Sequence, residues 1–161
     1  MEDKDLIKTY AIGIFMLALL DEWSKLERTG GIAKAYNTIT KKHNVFNKQI
    51  FEISIRKRKK CSKKCDLFNE AKTVATKAWN KAIPATKDIT ISINTTLHNL
   101  YRLNAASFER VYGLREEVFR EIGKTSTHGV IFQSCKVARV MTDELTVALE
   151  EHISKYNKEE V

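Results

Sequence analysis

Residues 10–20 read YAIGIFMLALL, eleven consecutive residues without a charged side chain. A membrane-spanning helix needs roughly 20 apolar residues, so this run is too short to cross a bilayer. A helix that is hydrophobic on all sides belongs in a protein interior. We therefore expect residues 10–20 to form the most deeply buried segment of the core.

The residues around this run predict one long first helix, from about Asp3 to Arg28. Asp3 and Asp5 suit the positive N-terminal end of a helix dipole. Gly30 and Gly31 favour its termination, because glycine readily adopts the left-handed conformation of a helix C-cap.

The composition favours an all-α fold. One proline and six glycines in 161 residues are too few for the many turns of a β-sandwich. We predict a single helical domain over residues 1–161, a compact bundle of five or six helices. Residues 88–93 allow two interpretations. Ile89, Ile91 and Ile93 alternate with polar residues, as in a short irregular or strand-like segment, but we prefer a helix that begins near 86–88.

Apolar residues three or four positions apart predict the remaining helices. The second helix follows Ile32, Tyr36, Ile39, His43, Phe46, Ile50 and Ile53, and the third follows Leu67, Ala71, Val74, Ala78 and Ala82 before Pro84. A further stretch uses Leu97, Leu100, Phe108, Val111, Leu114, Val118 and Ile122, with a kink or break expected at Gly113. The last helix follows Ile131, Cys135, Ala138, Leu145, Leu149 and Ile153.

The positive charge is concentrated in the middle of the chain. Residues 31–83 contain 14 basic and 3 acidic residues, a net charge of +11 in a protein whose total is +8. Within this region lies a basic run of seven cations in nine positions: Arg56, Lys57, Arg58, Lys59, Lys60, Lys63 and Lys64. Such asymmetry indicates an anionic partner.

Consecutive helical residues lie about 100° apart, so the cations of the basic run would surround a helix axis and leave no face for the core. Arginine and lysine side by side suit phosphate. The run contains no aromatic residue, so it predicts contact with the nucleic-acid backbone rather than base stacking. Lys72, Lys77 and Lys81 would widen the patch. Two other interpretations stay open: a solvated connector between helices, and a site for an acidic protein or membrane surface.

Catalytic and metal-site patterns are weak. Cys61 and Cys65 lie four positions apart, but a structural zinc site needs four ligands and no second spaced pair occurs. Gly123-Lys124-Thr125 lacks the earlier glycine of a phosphate-binding loop, because residue 118 is valine. We expect no cofactor and no metal, and we expect His43 to be a core histidine with one hydrogen bond rather than a switch or ligand.

These observations predict a non-enzymatic helical protein that contacts nucleic-acid phosphates through residues 56–64. The alternative is a structural or adaptor subunit of a larger, viral or mobile-element assembly that docks on partner proteins, with the basic run facing an acidic surface. An acidic N-terminus unlike a signal peptide and an odd number of cysteines favour the cytoplasm or another reducing compartment.

Overall fold

A helix buried on nearly all sides, α1 (Asp3–Glu22), forms the centre of the computed structural model, which describes residues 2–22, 31–56, 63–86, 93–125 and 132–159. The N–H groups of Asp5 and Leu6 donate to the carbonyl of Glu2 and begin the helix. Within residues 10–20 only Ile14, Leu17 and Ala18 are not fully buried. The prediction that this run lies deepest in the core is confirmed.

The other helices surround α1. They are α2 (Gly31–Arg56), α3 (Lys63–Ala82), α4 (Ile93–Arg102), α5 (Ala105–Tyr112), α6 (Glu116–Thr125) and α7 (Phe132–Glu159), and a short 3₁₀ turn, Ile83–Thr86, follows α3. α1 packs against α2, α3, α4, α5 and α7, most extensively against α3. One hydrophobic cluster contains buried residues from all seven described helices.

The all-α, compact fold predicted from the sequence is confirmed. The described residues form seven α-helices because the stretch after Ile93 divides into three short ones. α5 ends where predicted, at Gly113, which has a φ of 70° and donates its N–H to the Glu109 carbonyl at 2.9 Å. Residues 23–30 and 87–92, where the first helix was expected to end and the strand-like segment to lie, fall outside the described residues.

Small residues let α3 approach α1 closely. Ala71, Ala75, Ala78 and Ala82 recur at helical spacing and are all buried, as are Leu67 and Val74. The apolar face predicted for this helix is therefore confirmed. The α-helix ends at Ala82 because Pro84 disfavours helical geometry in the residue before it.

Aromatic side chains fill the space between α4, α5 and α6. Tyr101 and Phe119 stack at 4.7 Å between ring centroids, and Phe108 meets both rings edge-on. Tyr112 packs beside Phe108 at 4.6 Å and reaches towards α1. This cluster joins the three short helices to the central helix.

Candidate nucleic-acid interface

The basic run predicted as the site connects two helices of the bundle. Arg56 is the last residue of α2, and Lys63 and Lys64 are the first residues of α3. Lys57, Arg58, Lys59 and Lys60 lie outside the described residues, as does Cys61. The structure therefore places both ends of the run.

The start of α3 is held firmly against the core. Cys65, Leu67 and Phe68 are buried immediately after the two lysines, and the Phe68 ring contacts the ring of Tyr10 at 5.6 Å. Lys63 and Lys64 are both exposed. These two cations therefore project from a rigid helix end, which reduces the conformational entropy lost when they bind a partner.

Lys63 forms an ion pair with α1. Its Nζ lies 3.0 Å from Asp3 Oδ2, and its side chain is 78% exposed. An ion pair this exposed contributes about 0–1 kcal/mol, so a phosphate can compete with Asp3 for the lysine. The pair also places the start of α3 beside the start of α1.

Two lysines at the beginning of α3 are electrostatically unfavourable there. The N-terminal end of a helix has a partial positive charge, and cations near it cost about 0.3–1 kcal/mol each. Asp66 in the same turn offsets part of this cost. A bound anion at this end would remove the repulsion.

A second basic surface, which the sequence analysis missed, lies along α2. We call Lys34, Asn37, Lys41, Asn44 and Val45 the outer face of α2; all five side chains are exposed. Of the fifteen α2 side chains that the structure describes, at 33–47, seven are exposed and three are buried. No acidic residue occurs between 31 and 51. The outer face is therefore positive along its whole described length.

A shallow groove of about 400 Å³ runs along this surface, lined by Asn37, Thr40, Lys41, Asn44 and Val45. The Thr40 hydroxyl is buried and has no hydrogen-bond partner among the residues that the structure describes. A threonine within a helix often donates to the carbonyl four residues before it. The groove thus presents two amides and one ammonium group to solvent, while the Thr40 hydroxyl stays buried.

The lysines expected to widen the patch lie on the surface of α3. Lys72, Lys77 and Lys81 are all exposed. Lys77 Nζ lies 3.6 Å from Glu151 Oε2 of α7, so part of its charge is neutralised locally.

His43 lies in the core, as predicted. It is 6% exposed, its ring contacts Phe68 and Tyr112, and its Nε2 is hydrogen-bonded to the Tyr112 hydroxyl at 3.0 Å. Burial lowers the pKa of His43 to about 4, so the ring is neutral at neutral pH. This is the structural role predicted for a core histidine with one hydrogen bond.

Other described side chains form pairs within α6, between α4 and α6, and between α3 and α7. Glu116 binds Arg120 at 3.2 Å and lies 4.0 Å from His98 Nε2, and Glu70 lies 3.6 Å from His152 Nε2. Within residues 2–22, 31–56, 63–86, 93–125 and 132–159, no three His, Cys, Asp or Glu side chains are grouped so that they could hold a metal ion. Cys65 is 3% exposed. Burial therefore withholds this thiol from solvent.

None of the helices in the described part of the chain is both long enough and apolar enough to span a membrane. Comparisons of the chain with known protein families, with curated proteins and with solved structures find no match. The geometry of the basic surfaces is therefore the basis for a functional proposal.

Proposed function

We propose that this protein is a non-enzymatic helical protein that binds nucleic-acid phosphates through the basic run, residues 56–64. One observation supports this most directly: the run joins two helices, and Lys63 and Lys64 within it are exposed at the positive N-terminal end of α3. Asp3 and Asp66 lie close to these two lysines, but seven cations in nine positions still repel one another. A phosphate backbone supplies the compensating charge at regular spacing.

The side chains of the basic run suit contact with a nucleic-acid backbone, because arginine and lysine both bind phosphate. Arginine offers a bidentate fork to phosphate oxygens, and lysine offers a mobile point charge. Each neutralised phosphate releases counterions, so affinity falls with salt in proportion to the number of contacts. If five of the seven cations contact phosphate, the slope of log affinity against log salt is about −4.5.

The non-enzymatic part of the proposal rests on where the perturbed groups lie. Among the described residues, the side chains with shifted pKa values, such as His43 and Tyr112, are buried in the packed core. Catalytic groups with shifted pKa values usually line a cleft that substrate can enter. The groove on α2 instead offers two amides and a lysine, which suit binding.

The test is fluorescence anisotropy with labelled single- and double-stranded oligonucleotides between ~50 and ~300 mM salt, where counterion release is measurable. The run variant changes Lys57, Lys59 and Lys60 to Gln. Its matched control removes the same charge elsewhere, by changing Arg102, Arg110 and Arg115, which are exposed on or beside α4, α5 and α6, to Gln. We expect the run variant to lose at least tenfold in affinity and its salt slope to become shallower by about 2–3. The control should change affinity much less.

Circular dichroism before each titration checks that both variants fold. Equal losses in the run variant and the control would mean that only net charge matters, and would contradict a site at 56–64. Failure of the unmodified protein to bind any oligonucleotide would exclude the proposal. The adaptor alternative would then be favoured, with the run facing an acidic protein surface.

A further inference from the structure

The outer face of α2 is a narrow stripe on an unusually exposed helix. At about 100° per residue, Asn37, Lys41 and Asn44 lie within an arc of about 60°, and Lys34 and Val45 extend the arc to about 100°. The buried side of the helix is formed by Ala35, Ile39 and His43. Over residues 33–47, the exposed positions therefore span more than half of the circumference of α2.

The stripe combines three kinds of group that a base edge can use. Each asparagine offers a hydrogen-bond donor and an acceptor, and can bind adenine in a bidentate manner through N6 and N7. Lys41 can donate to the acceptors of guanine, and Val45, which is 46% exposed, offers methyl groups to a thymine methyl. A phosphate only accepts hydrogen bonds and uses only the N–H groups of an amide, whereas a base edge can use both the donor and the acceptor.

The width and charge of α2 favour double-stranded DNA over double-stranded RNA as its partner. An α-helix with its side chains is about 10–12 Å wide and fits the ~12 Å major groove of B-form DNA. The deep, narrow major groove of an A-form RNA duplex does not admit side chains. The segment 34–47 is about 20 Å long at 1.5 Å per residue, which covers roughly six base pairs. With no acidic residue between 31 and 51, nothing on this stretch repels the phosphates that flank the groove.

We propose that the outer face of α2 enters the major groove of B-form DNA, where Asn37 and Asn44 read base edges. The proposal rests on the proposed function, in which the basic run that follows α2 contacts the backbone. The run supplies affinity without sequence preference, and the outer face supplies the preference. α2 ends at Arg56, so the chain enters the basic run directly from the helix that carries the outer face.

The experiment first selects preferred duplexes from a random DNA pool with the unmodified protein. Anisotropy then compares a selected duplex, a scrambled duplex and an RNA duplex of the selected sequence. The test variant is Asn37→Ala with Asn44→Ala, and the matched control is Asn69→Ala with Asn80→Ala, two exposed asparagines on α3. Alanine is the better helix former, so both double variants should fold.

We expect the unmodified protein to prefer the selected duplex over the scrambled one by at least tenfold. The Asn37/Asn44 variant should lose most of that preference while its affinity for scrambled DNA and its salt slope stay unchanged, and the control should keep the preference. Retention of the preference by the Asn37/Asn44 variant, equal binding of the RNA duplex, or the absence of any selected sequence would overturn this proposal. In those cases salt-dependent binding that still needs the basic run would leave the proposed function standing. No binding to any oligonucleotide would overturn both.

Discussion

Acidification should destabilise this protein through His43. The folded-state pKa of this histidine is about 4, because the ring is buried, whereas a histidine in the unfolded chain titrates near 6.5. Between these values the unfolded chain binds more protons than the folded one, so the free energy of unfolding falls as the pH falls. Each pH unit between the two pKa values lowers the free energy of unfolding by about 1.4 kcal/mol, so acidification from pH 7 to pH 4 should lower it by about 3 kcal/mol.

The measurement is urea unfolding, followed by circular dichroism, at pH 7, 6, 5 and 4. Carboxylates also titrate in this range, so the His43→Gln variant serves as the reference, since glutamine has no titrating group and can still reach the Tyr112 hydroxyl. The unfolding free energy of the unmodified protein minus that of the variant should decrease by about 3 kcal/mol from pH 7 to pH 4. A constant difference across this range would refute the reasoning, as would an NMR titration of the His43 ring centred near 6.5.

Three substitutions test the packing around the same region. Gly13→Ala should lower the free energy of unfolding by about 2 kcal/mol, because the new Cβ would overlap the buried Tyr112 hydroxyl, even though alanine is the better helix former. A variant as stable in urea as the unmodified protein would contradict this packing. Phe119→Ala removes a ring that stacks on the buried Tyr101, and should lower the free energy of unfolding by about 3–5 kcal/mol. A loss below ~1 kcal/mol in the same assay would mean that the ring of Phe119 is not closely packed. Gly113→Ala should lower the free energy of unfolding by about 1–2 kcal/mol. The left-handed backbone alone would cause this loss, because nothing lies within 4 Å of the added Cβ. An unchanged melting temperature would show that this conformation imposes no strain on alanine.

The parts of the fold that follow one uninterrupted period were predictable from the sequence. α3 is the best case, because the five positions of its apolar stripe are all buried. The eleven-residue run of α1 was also predictable, since so many apolar side chains can be shielded from water only in the interior. The spacing of apolar residues is therefore sufficient to predict which residues are buried where a single regular helix presents one face to the core.

Sequence spacing failed where the chain changes direction. Counting four residues on from Leu114 predicted Val118 as the core residue, whereas Phe119 is fully buried and Val118 only partly. The left-handed residue at 113 and the two that follow it reset the rotation of the next helix, so the count does not carry across them. Likewise, spacing identified His43 as a core residue but not its partner Tyr112, which lies 69 residues away.

The candidate site was only half visible in the sequence. The basic run at 56–64 could be predicted from the sequence, because its seven cations lie within nine consecutive positions. The outer face of α2 was missed because its lysines and asparagines are dispersed among buried residues and converge only on the helix surface. The repeated spacing of 37, 41 and 44, together with the lack of acidic residues from 31 to 51, was the available signal.

The central position of α1 has a consequence for how the protein is made. α1 leaves the ribosome before all the helices that pack against it, and the last of these, α7, ends at Glu159. At about 5–20 residues per second, the apolar segment 10–20 waits roughly 10–30 s for its full set of neighbours. During synthesis it is an exposed hydrophobic stretch, the kind of segment that chaperones bind and that drives aggregation when they are scarce. The yield of folded protein in a cell should therefore depend on chaperone supply during translation more than on the stability of the finished bundle.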